Sequence, residues 1–223
     1  MHKISAPSII LFLIFFGLII GFGIITDWLL VGSLSLGDFR GFALLASGVA
    51  IIYLWAFIIY RMFLYFLPLE AGELGTGSRG EFVAEVNMLF YLLLFNPLIL
   101  THFLPAPLSR LVYMALGLRI GRDSYSVGVI LDPPMTKIGK NSIIGHDALL
   151  LSHVIEGKLL ALLPITIGDN VTIGTKAIIM PGVTIEDRAV VSVGAIVTKG
   201  THIGSGEIWG GIPAKFLKRV DDV

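Results

Sequence analysis

Few side chains of this sequence could carry out acid–base chemistry, and two histidines stand out by their position. The chain has five histidines and no cysteine, which excludes thiol nucleophiles, disulfides and zinc–thiolate sites. His146 and His153 lie seven residues apart, and Glu156 follows His153 by three residues. An imidazole titrates near neutral pH, and a carboxylate bound to one ring nitrogen selects its tautomer. Either histidine could also be an ordinary solvated residue at a corner of the fold.

The element that must position these residues is a repeat with a period of six. An aliphatic residue begins each hexad, glycine often follows it, and a small or β-branched residue lies near the end. The hexads IGDNVT, IGTKAI, IMPGVT, IEDRAV, VSVGAI and VTKGTH begin at Ile167, Ile173, Ile179, Ile185, Val191 and Val197. A short fixed period of this kind is typical of a solenoid, in which three flat faces close one coil. The pattern predicts a left-handed parallel β-helix.

The same phase extends upstream and is broken once. Ile138, Ile144 and Leu150 keep it, Ile120 is a plausible first rung, and residues 127–137 fit poorly. The phase slips between Leu150 and Ile167, which predicts a loop over residues 156–164 (EGKLLALLP). About five coils result over residues 120–223. His146 then lies at a polar corner, and His153 lies directly before the loop.

The predicted loop is unusually apolar for a segment expected on the surface. Leucines at Leu159, Leu160, Leu162 and Leu163 surround Ala161. An exposed apolar patch of this size should be covered. We expect the cover to be a neighbouring subunit, a bilayer surface or a lipid-linked acceptor.

The first half of the chain is too apolar for a soluble globule. Mean hydropathy is +0.88 with 14% charged residues, and residues 4–26 and 41–60 contain no charge. Each stretch is long enough to cross a bilayer, which takes about 20 residues. The first is too long for a signal peptide and lacks a cleavage site, which predicts a retained anchor. A third stretch, residues 86–104, carries Asn87, Asn96–Pro97 and His102, so a third crossing and a bent interfacial segment both stay open.

The connection to the β-helix and the charge pattern complete the predicted organisation. Residues 107–117 predict a short amphipathic helix at the membrane surface, with Leu108 and Leu111 on its apolar side. The predicted regions are therefore 1–106 (membrane helices), 107–119 (connecting helix) and 120–223 (β-helix). Two crossings would place the basic residues Lys3, Arg61, Arg79, Arg110, Arg119 and Arg122 together on the cytoplasmic side. The zero net charge argues against nucleic-acid binding.

The sequence IGDNVTIGTKAIIMPGVTIEDRAVVSVGAIVTKG, followed by WGGIPAKFL, resembles the hexapeptide-repeat acyltransferases. That family commonly shows an IGDNVWIG-like start, a PGVTIGDN-like turn, a VVTK segment and a closing GNPAK. Here these are IGDNVTIG, PGVTIEDR, IVTKG and GIPAK, and the similarity covers residues 120–216. The anchored first half is similar to a membrane-attached branch of the family. The resemblance implies a homotrimer with an acyl-CoA donor, acetyl-CoA above all, in the cleft between subunits, and no metal.

The resemblance also implies roles for individual residues. A histidine of the family acts as general base on the acceptor hydroxyl or amine, and His153, before the loop, holds the matching place. His146 is the second candidate, and Glu156 would orient the imidazole. Backbone groups of Ala177, Gly194 and Ala195 match those that hold the pantetheine arm of CoA. Lys199 and Lys215 match the basic residues near its phosphates. The acceptor would be a lipid, a lipid-linked sugar or an envelope precursor.

Two other classes of function stay open. The γ-class carbonic anhydrases are trimeric left-handed β-helices with zinc held by three histidines, and IGHDALLLSH is similar to their histidine pair. His146 and His153 are farther apart than that pair, however, and no histidine between His102 and His146 could supply the third ligand. A membrane-anchored trimeric scaffold without activity is the third possibility. His2, His102 and His202 are expected at the terminus, at the membrane edge and at an exposed corner.

Overall fold

The computed structural model describes residues 3–35, 37–101 and 104–222, so His2 and His102 lie outside the described residues. Its compact units are residues 4–68 and residues 69–223, with the first three residues grouped with the second unit. We expected the division after residue 106, and it falls instead between Pro68 and Leu69. The reason is that the third apolar segment packs on the β-helix domain and belongs to the same unit.

The first unit is a pair of long apolar helices, α1 (Ala6–Leu30) and α2 (Arg40–Phe66), with a 3₁₀ turn (Gly37–Phe39) before the second. Gly23 lets the two helices approach closely, because a Cβ there would lie 2.5 Å from Cγ1 of Ile52. Both helices are long and apolar enough to cross a membrane. The two uncharged stretches therefore form helices of the expected kind.

The third apolar segment is interrupted. After the short strand β1 (Gly72–Leu74), α3 (Arg79–Phe90) continues through a π turn (Tyr91–Phe95) into α4 (Asn96–Leu100). The interruption lies directly before Pro97, which has no backbone N–H to donate. Half of the most apolar window of this segment is buried, compared with 17% and 11% in the two earlier helices. This degree of burial indicates that the third segment packs against other parts of the protein.

Helix α5 (Ala106–Ala115) corresponds to the predicted amphipathic helix. Tyr113 is buried, and its hydroxyl donates to the carbonyl of Gly128 (2.9 Å) and accepts from the N–H of Ile130 (3.1 Å). These bonds fix α5 to the first coil. Leu108 and Leu111 stay 46% and 59% exposed, so the apolar side of the helix faces away from the prism.

The remainder of the chain, between Leu118 and Asp222, is a three-sided prism of short parallel strands. The first face contains β2 (Arg119–Ile120), β5 (Thr136–Ile138), β10 (Ile165–Ile167), β13 (Thr184–Ile185) and β16 (His202–Ile203). The second contains β3 (Tyr125–Ser126), β6 (Ile143–Ile144), β11 (Thr172–Ile173), β14 (Val190–Val191), β17 (Glu207–Gly210) and the antiparallel β18 (Lys215–Arg219). The third contains β4 (Val129–Ile130), β7 (Leu149–Leu150), β12 (Ile178–Ile179) and β15 (Ile196–Val197). The predicted parallel β-helix is confirmed.

The strand register confirms the phase of the hexads. Ile120 pairs with Ile138, which pairs with Ile167, so the first rung lies where the sequence predicts it. The faces of the first coil are unevenly spaced, because Ile130 follows Ser126 by four positions and Ile138 follows Ile130 by eight, where the repeat has six for each step. This uneven spacing is why residues 127–137 fit the repeat poorly.

Glycine follows the leading aliphatic residue where successive coils come closest. A Cβ on Gly145 would lie 2.6 Å from the amide nitrogen of Thr175, and one on Gly139 would lie 2.5 Å from the carbonyl carbon of Gly168. Such distances admit no side chain. The glycine in the hexad is therefore a consequence of coil stacking.

The phase slip is a β-hairpin, and its leucines are covered by the chain itself. Strands β8 (His153–Glu156) and β9 (Leu159–Leu162) form the hairpin, and β1 adds to β9 as a third antiparallel strand. Leu160, Ala161 and Leu162 are at most 2% exposed. Leu160 and Leu162 form a cluster with Leu74 of β1 and with Ala84 and Met88 of α3. The expectation that a subunit, a bilayer or an acceptor covers this run was wrong for Leu160, Ala161 and Leu162, whereas Leu159 and Leu163 are half-buried.

This cluster should carry much of the stability of the hairpin. Leu160→Ala is expected to lower the free energy of unfolding by about 2–5 kcal/mol, the usual cost of a cavity at a fully buried leucine. Ile155→Ala, on the same hairpin but 48% exposed, should cost less than about 1 kcal/mol. Chemical denaturation of the full chain in detergent, followed by circular dichroism, measures both. Equal losses would contradict the packing described here.

Candidate active site

His153 is held at the point where the chain leaves the second coil. It is the first residue of β8, directly after the buried Ser152. The backbone N–H groups of Ser152 and His153 both donate to Oδ2 of Asp132, at 2.9 and 3.1 Å. The same oxygen lies 2.7 Å from Nδ1 of the His153 ring. One buried carboxylate oxygen therefore fixes both the backbone and the imidazole.

Asp132 occupies the segment between the first and second coils, just before a 3₁₀ turn (Pro133–Met135). Its backbone carbonyl accepts from the N–H of Met135 and the hydroxyl of Thr136. Its side chain is only 2% exposed, compared with 24% for that of His153. Sequence analysis missed this residue. The one available signal was the Asp-Pro-Pro sequence inside the stretch that broke the repeat.

The pair sets the tautomer and the pKa of His153. An ionised carboxylate only accepts hydrogen bonds, so Nδ1 carries the proton and Nε2 keeps its lone pair. Burial lowers the pKa of the imidazole, but the hydrogen bond that Nδ1–H donates to Asp132 and the negative charge of Asp132 outweigh burial and raise the pKa above its ordinary value. The ring is therefore an oriented and strengthened base.

Glu156 does not make the contact expected of it. Its Oε1 lies 2.7 Å from Nζ of Lys199, on the surface, where the two side chains are 54% and 41% exposed. The hairpin strand carries Glu156 away from the ring, three residues beyond His153 in extended backbone. The orienting carboxylate is Asp132, and Glu156 joins the hairpin to the fourth coil.

A cleft opens at the His153–Asp132 pair. Its other walls are Leu131, from the first coil, and Met88, Tyr91 and Leu92, from the end of α3 and the π turn. The cleft has a volume of about 90 Å³. A group of limited size, such as a hydroxyl on its carbon, fits beside the imidazole, and the surroundings of that group are apolar.

His146 lies in different surroundings. It occupies the corner between β6 and β7, its side chain is 58% exposed, and Nε2 lies 3.5 Å from Oδ2 of Asp147. It also borders a second cavity, beside α5. His202 is 60% exposed and its Nε2 lies 3.1 Å from Oε1 of Glu186, as expected of a corner residue. The structure thus does not bring His146 into the cleft that His153 lines.

The residues predicted to bind CoA lie in the third to fifth coils. Ala177 and Ala195 are buried at equivalent places in successive coils, and Gly194 occupies the adjacent corner. Their N–H groups donate to carbonyls of the coils, Ala177 to Gly174, Gly194 to Thr175 and Ala195 to Ser192. A pantetheine arm could therefore use their carbonyl oxygens, which have a second lone pair. Lys215 begins the exposed strand β18.

Among the residues that the structure describes, no three His, Cys, Asp or Glu side chains come together in a way that could hold a metal ion. Within the same residues, the carboxylate nearest to His153 is Asp132, and it serves as a hydrogen-bond acceptor. The chemistry that this arrangement supports directly is proton transfer to and from Nε2.

Comparison with known proteins identifies the prism. Residues 164–199 match the family model described as the hexapeptide repeat of succinyl-transferase. The β-helix is a hexapeptide-repeat domain. This finding agrees with the resemblance of the motifs and with the stacked glycines and aliphatic rungs.

Similar proteins of known name fall into two groups. The mitochondrial gamma carbonic anhydrase 2 of Arabidopsis thaliana is 39% identical over 87 residues, 39% of this chain and 27% of that protein. The galactoside O-acetyltransferase of Escherichia coli K12 is 34% identical over 122 residues, 50% of this chain and 59% of that protein. The chain thus spans well under two thirds of either relative.

Part of the chain is also similar to a solved structure. The hexapeptide-repeat acetyltransferase VCA0836 of Vibrio cholerae O1 biovar eltor, complexed with acetyl coenzyme A, has a TM-score of 0.41 and 19% identity. The alignment covers 56% of this chain and 84% of that one.

Proposed function

We propose that this protein is a membrane-anchored acetyltransferase that moves an acetyl group from acetyl-CoA to a hydroxyl or amine. The observation that carries the proposal is the ring of His153, held by buried Asp132 in a cleft of a hexapeptide-repeat domain. The similarity to a galactoside O-acetyltransferase supports acetyl transfer. The separation of His146 from this cleft favours His153 as the base.

The reaction needs one proton acceptor and two substrates. Nε2 of His153 takes the proton of the acceptor hydroxyl as its oxygen attacks the thioester carbonyl of acetyl-CoA. The tetrahedral intermediate collapses, the C–S bond breaks, and the imidazolium returns its proton to the departing thiolate. Asp132 stays ionised and stabilises the transient positive charge on the ring, so it acts as a positioning residue.

A hydratase of the carbonic anhydrase kind is less well supported, although such proteins are among the relatives. That chemistry depends on zinc held by three histidines. Within one subunit, His146 and His153 lie at different cavities, and no histidine between His102 and His146 could supply the third ligand of a zinc site shared between subunits. The hydrogen bond between Nδ1 of His153 and the carboxylate of Asp132 suits a general base at least as well as it suits a zinc ligand.

Assembly as a trimer is part of the proposal. The resemblance to the acyltransferase family implies it, and the proposed donor positions Ala177, Gly194 and Ala195 follow the coils toward the C-terminal end of the prism. Lys199 and Lys215 would meet the CoA phosphates. Lys199 would then exchange Glu156 for a phosphate, an exchange made easier by the exposure of the ion pair.

The acceptor is proposed to be a lipid or a lipid-linked molecule such as a sugar carrier or an envelope precursor. Helices α1 and α2 expose large apolar side chains over their length, among them Leu29 (70%), Phe42 (74%) and Leu45 (69%). Such continuous exposure is expected of helices surrounded by lipid. An enzyme held at a bilayer encounters acceptors that are dissolved in it.

Two crossings fit the structure better than three. The segment α3–α4 is half-buried and contributes Ala84 and Met88 to the packing of the hairpin. A helix that covers a β-hairpin is not free to cross a bilayer. With two crossings, Lys3, Arg61 and Arg79 would lie on the same side as the β-helix, and the positive-inside rule supports the cytoplasm as that side.

The test is transfer of label from [¹⁴C]acetyl-CoA by membranes containing the full chain. We expect label in the organic extract, with one equivalent of CoA released for each acetyl group transferred. Sugars in free solution should compete weakly. Label confined to water-soluble products would contradict the lipid acceptor and keep the acetyltransferase, whereas no release of CoA above that of empty membranes would contradict both.

A further inference from the structure

A second cavity, of about 260 Å³, lies between helix α5 and the first coil. Its apolar walls include Ile99 of α4, Leu104, and Val127 and Val129 of the first coil. His146 stands at its border with a largely exposed side chain. The mechanism proposed above makes no use of this cavity.

The hydroxyl groups on its walls are already engaged within the protein. The hydroxyl of Ser109 donates to the carbonyls of Ala106 and Ser126, at 2.8 and 3.1 Å. The Tyr113 hydroxyl donates to Gly128 and accepts from Ile130. A polar ligand would have to break these bonds, so the cavity suits an apolar occupant.

The cavity and the catalytic cleft are lined by different residues of the same two segments of the chain. Val129 of β4 lines the cavity and Leu131, directly after β4, lines the cleft, about 7 Å farther along the chain. On the opposite wall, Leu92 lines the cleft and Ile99 the cavity, about 10 Å farther along the same helical segment. An extended apolar molecule could follow this path.

We propose that the cavity holds the hydrocarbon chain of the acceptor while its hydroxyl or amine reaches His153. This inference rests on the proposed function and assigns the chain-binding site of the same reaction. The occupant is a single hydrocarbon chain, since the walls are apolar and 260 Å³ is below the usual volume for a whole lipid or drug-sized ligand. The exposed apolar side chain of Leu92 (51%) borders the route from a bilayer.

The test uses the full chain in phosphatidylcholine nanodiscs and 1-dodecanol carrying a terminal diazirine as photolabel. We expect labelled peptides from residues 127–129, with labelling suppressed by excess dodecanol and not by equal butanol. Ile99→Trp, which fills the cavity, should lower this labelling about tenfold. Leu100→Trp is the matched control on the neighbouring, exposed position and should label like the unchanged protein.

Two outcomes would overturn the inference. One is equal labelling of residues 127–129 in both tryptophan variants, and the other is label restricted to α1 and α2. His153→Ala separates this inference from the proposed function, because it should keep the label. If His153→Ala transfers acetyl groups normally while the labelling pattern is unchanged, the assignment of His153 as the base is wrong and the assignment of the chain-binding site is retained.

Discussion

Replacement of His153 by alanine is expected to lower kcat for acetyl transfer by about 10²–10⁴-fold, the usual contribution of a positioned general base. Loss of the ring removes the acceptor of the hydroxyl proton. The KM for acetyl-CoA should change by less than about threefold, because the proposed donor positions lie on later coils. Initial rates of CoA release at saturating acceptor, on the full chain in detergent, measure both quantities.

His202→Ala is the matched control, since it removes the same side chain from an exposed corner that lines neither the cleft nor the second cavity. It should keep at least about a third of the activity, as expected for a surface side chain outside the reaction. If His146→Ala is inactive while His153→Ala is active, the base is His146 and the mechanism moves seven residues upstream. Full activity of both His146→Ala and His153→Ala would exclude either imidazole as the base.

The prism was predictable because each hexad repeats the same packing requirement. Ile138, Ile167 and Ile185 stack at one interior position, and Gly139 and Gly168 each meet the backbone of the next coil. The local period of the sequence therefore also predicts the contacts between stacked coils, although these residues are far apart in the sequence. The same logic located His153, since the end of a regular coil is visible as a break in phase.

The contacts that the sequence did not predict join segments that are not related by the hexapeptide repeat. Asp132 reaches His153 across 21 residues from the stretch after β4 in which the spacing of six is lost, so the repeat did not assign it to a face. Glu156 was preferred because it is near in sequence, although strand geometry directs it to Lys199. Likewise, Leu160 was predicted to be exposed, because Leu74, which pairs with it, belongs to a strand far upstream in the sequence. Pairing of this kind depends on tertiary structure that a single sequence does not display.

Asp132→Asn is the second variant for which a large effect is expected. Asparagine keeps the size and a carbonyl acceptor but removes the charge and permits the opposite ring tautomer. We expect kcat/KM at its pH maximum to fall by about a hundredfold, since part of the ring population presents the wrong nitrogen to the substrate. Asp147→Asn, beside exposed His146, is the matched control and should leave kcat/KM unchanged.

The pH profile distinguishes positioning of the base from simple damage to the fold. In the unchanged protein the pKa of His153 is raised, so the ring is protonated and inactive at low pH, and the acid limb of kcat/KM should lie above the ordinary histidine value of about 6.5. In Asp132→Asn the negative charge that raises the pKa is gone and the remaining hydrogen-bond acceptor is neutral, whereas burial, which lowers the pKa, stays. The acid limb should therefore move to lower pH even as the maximum falls. A variant that was merely unstable would lose activity at every pH with its limb in place, and that result would remove Asp132 from the mechanism.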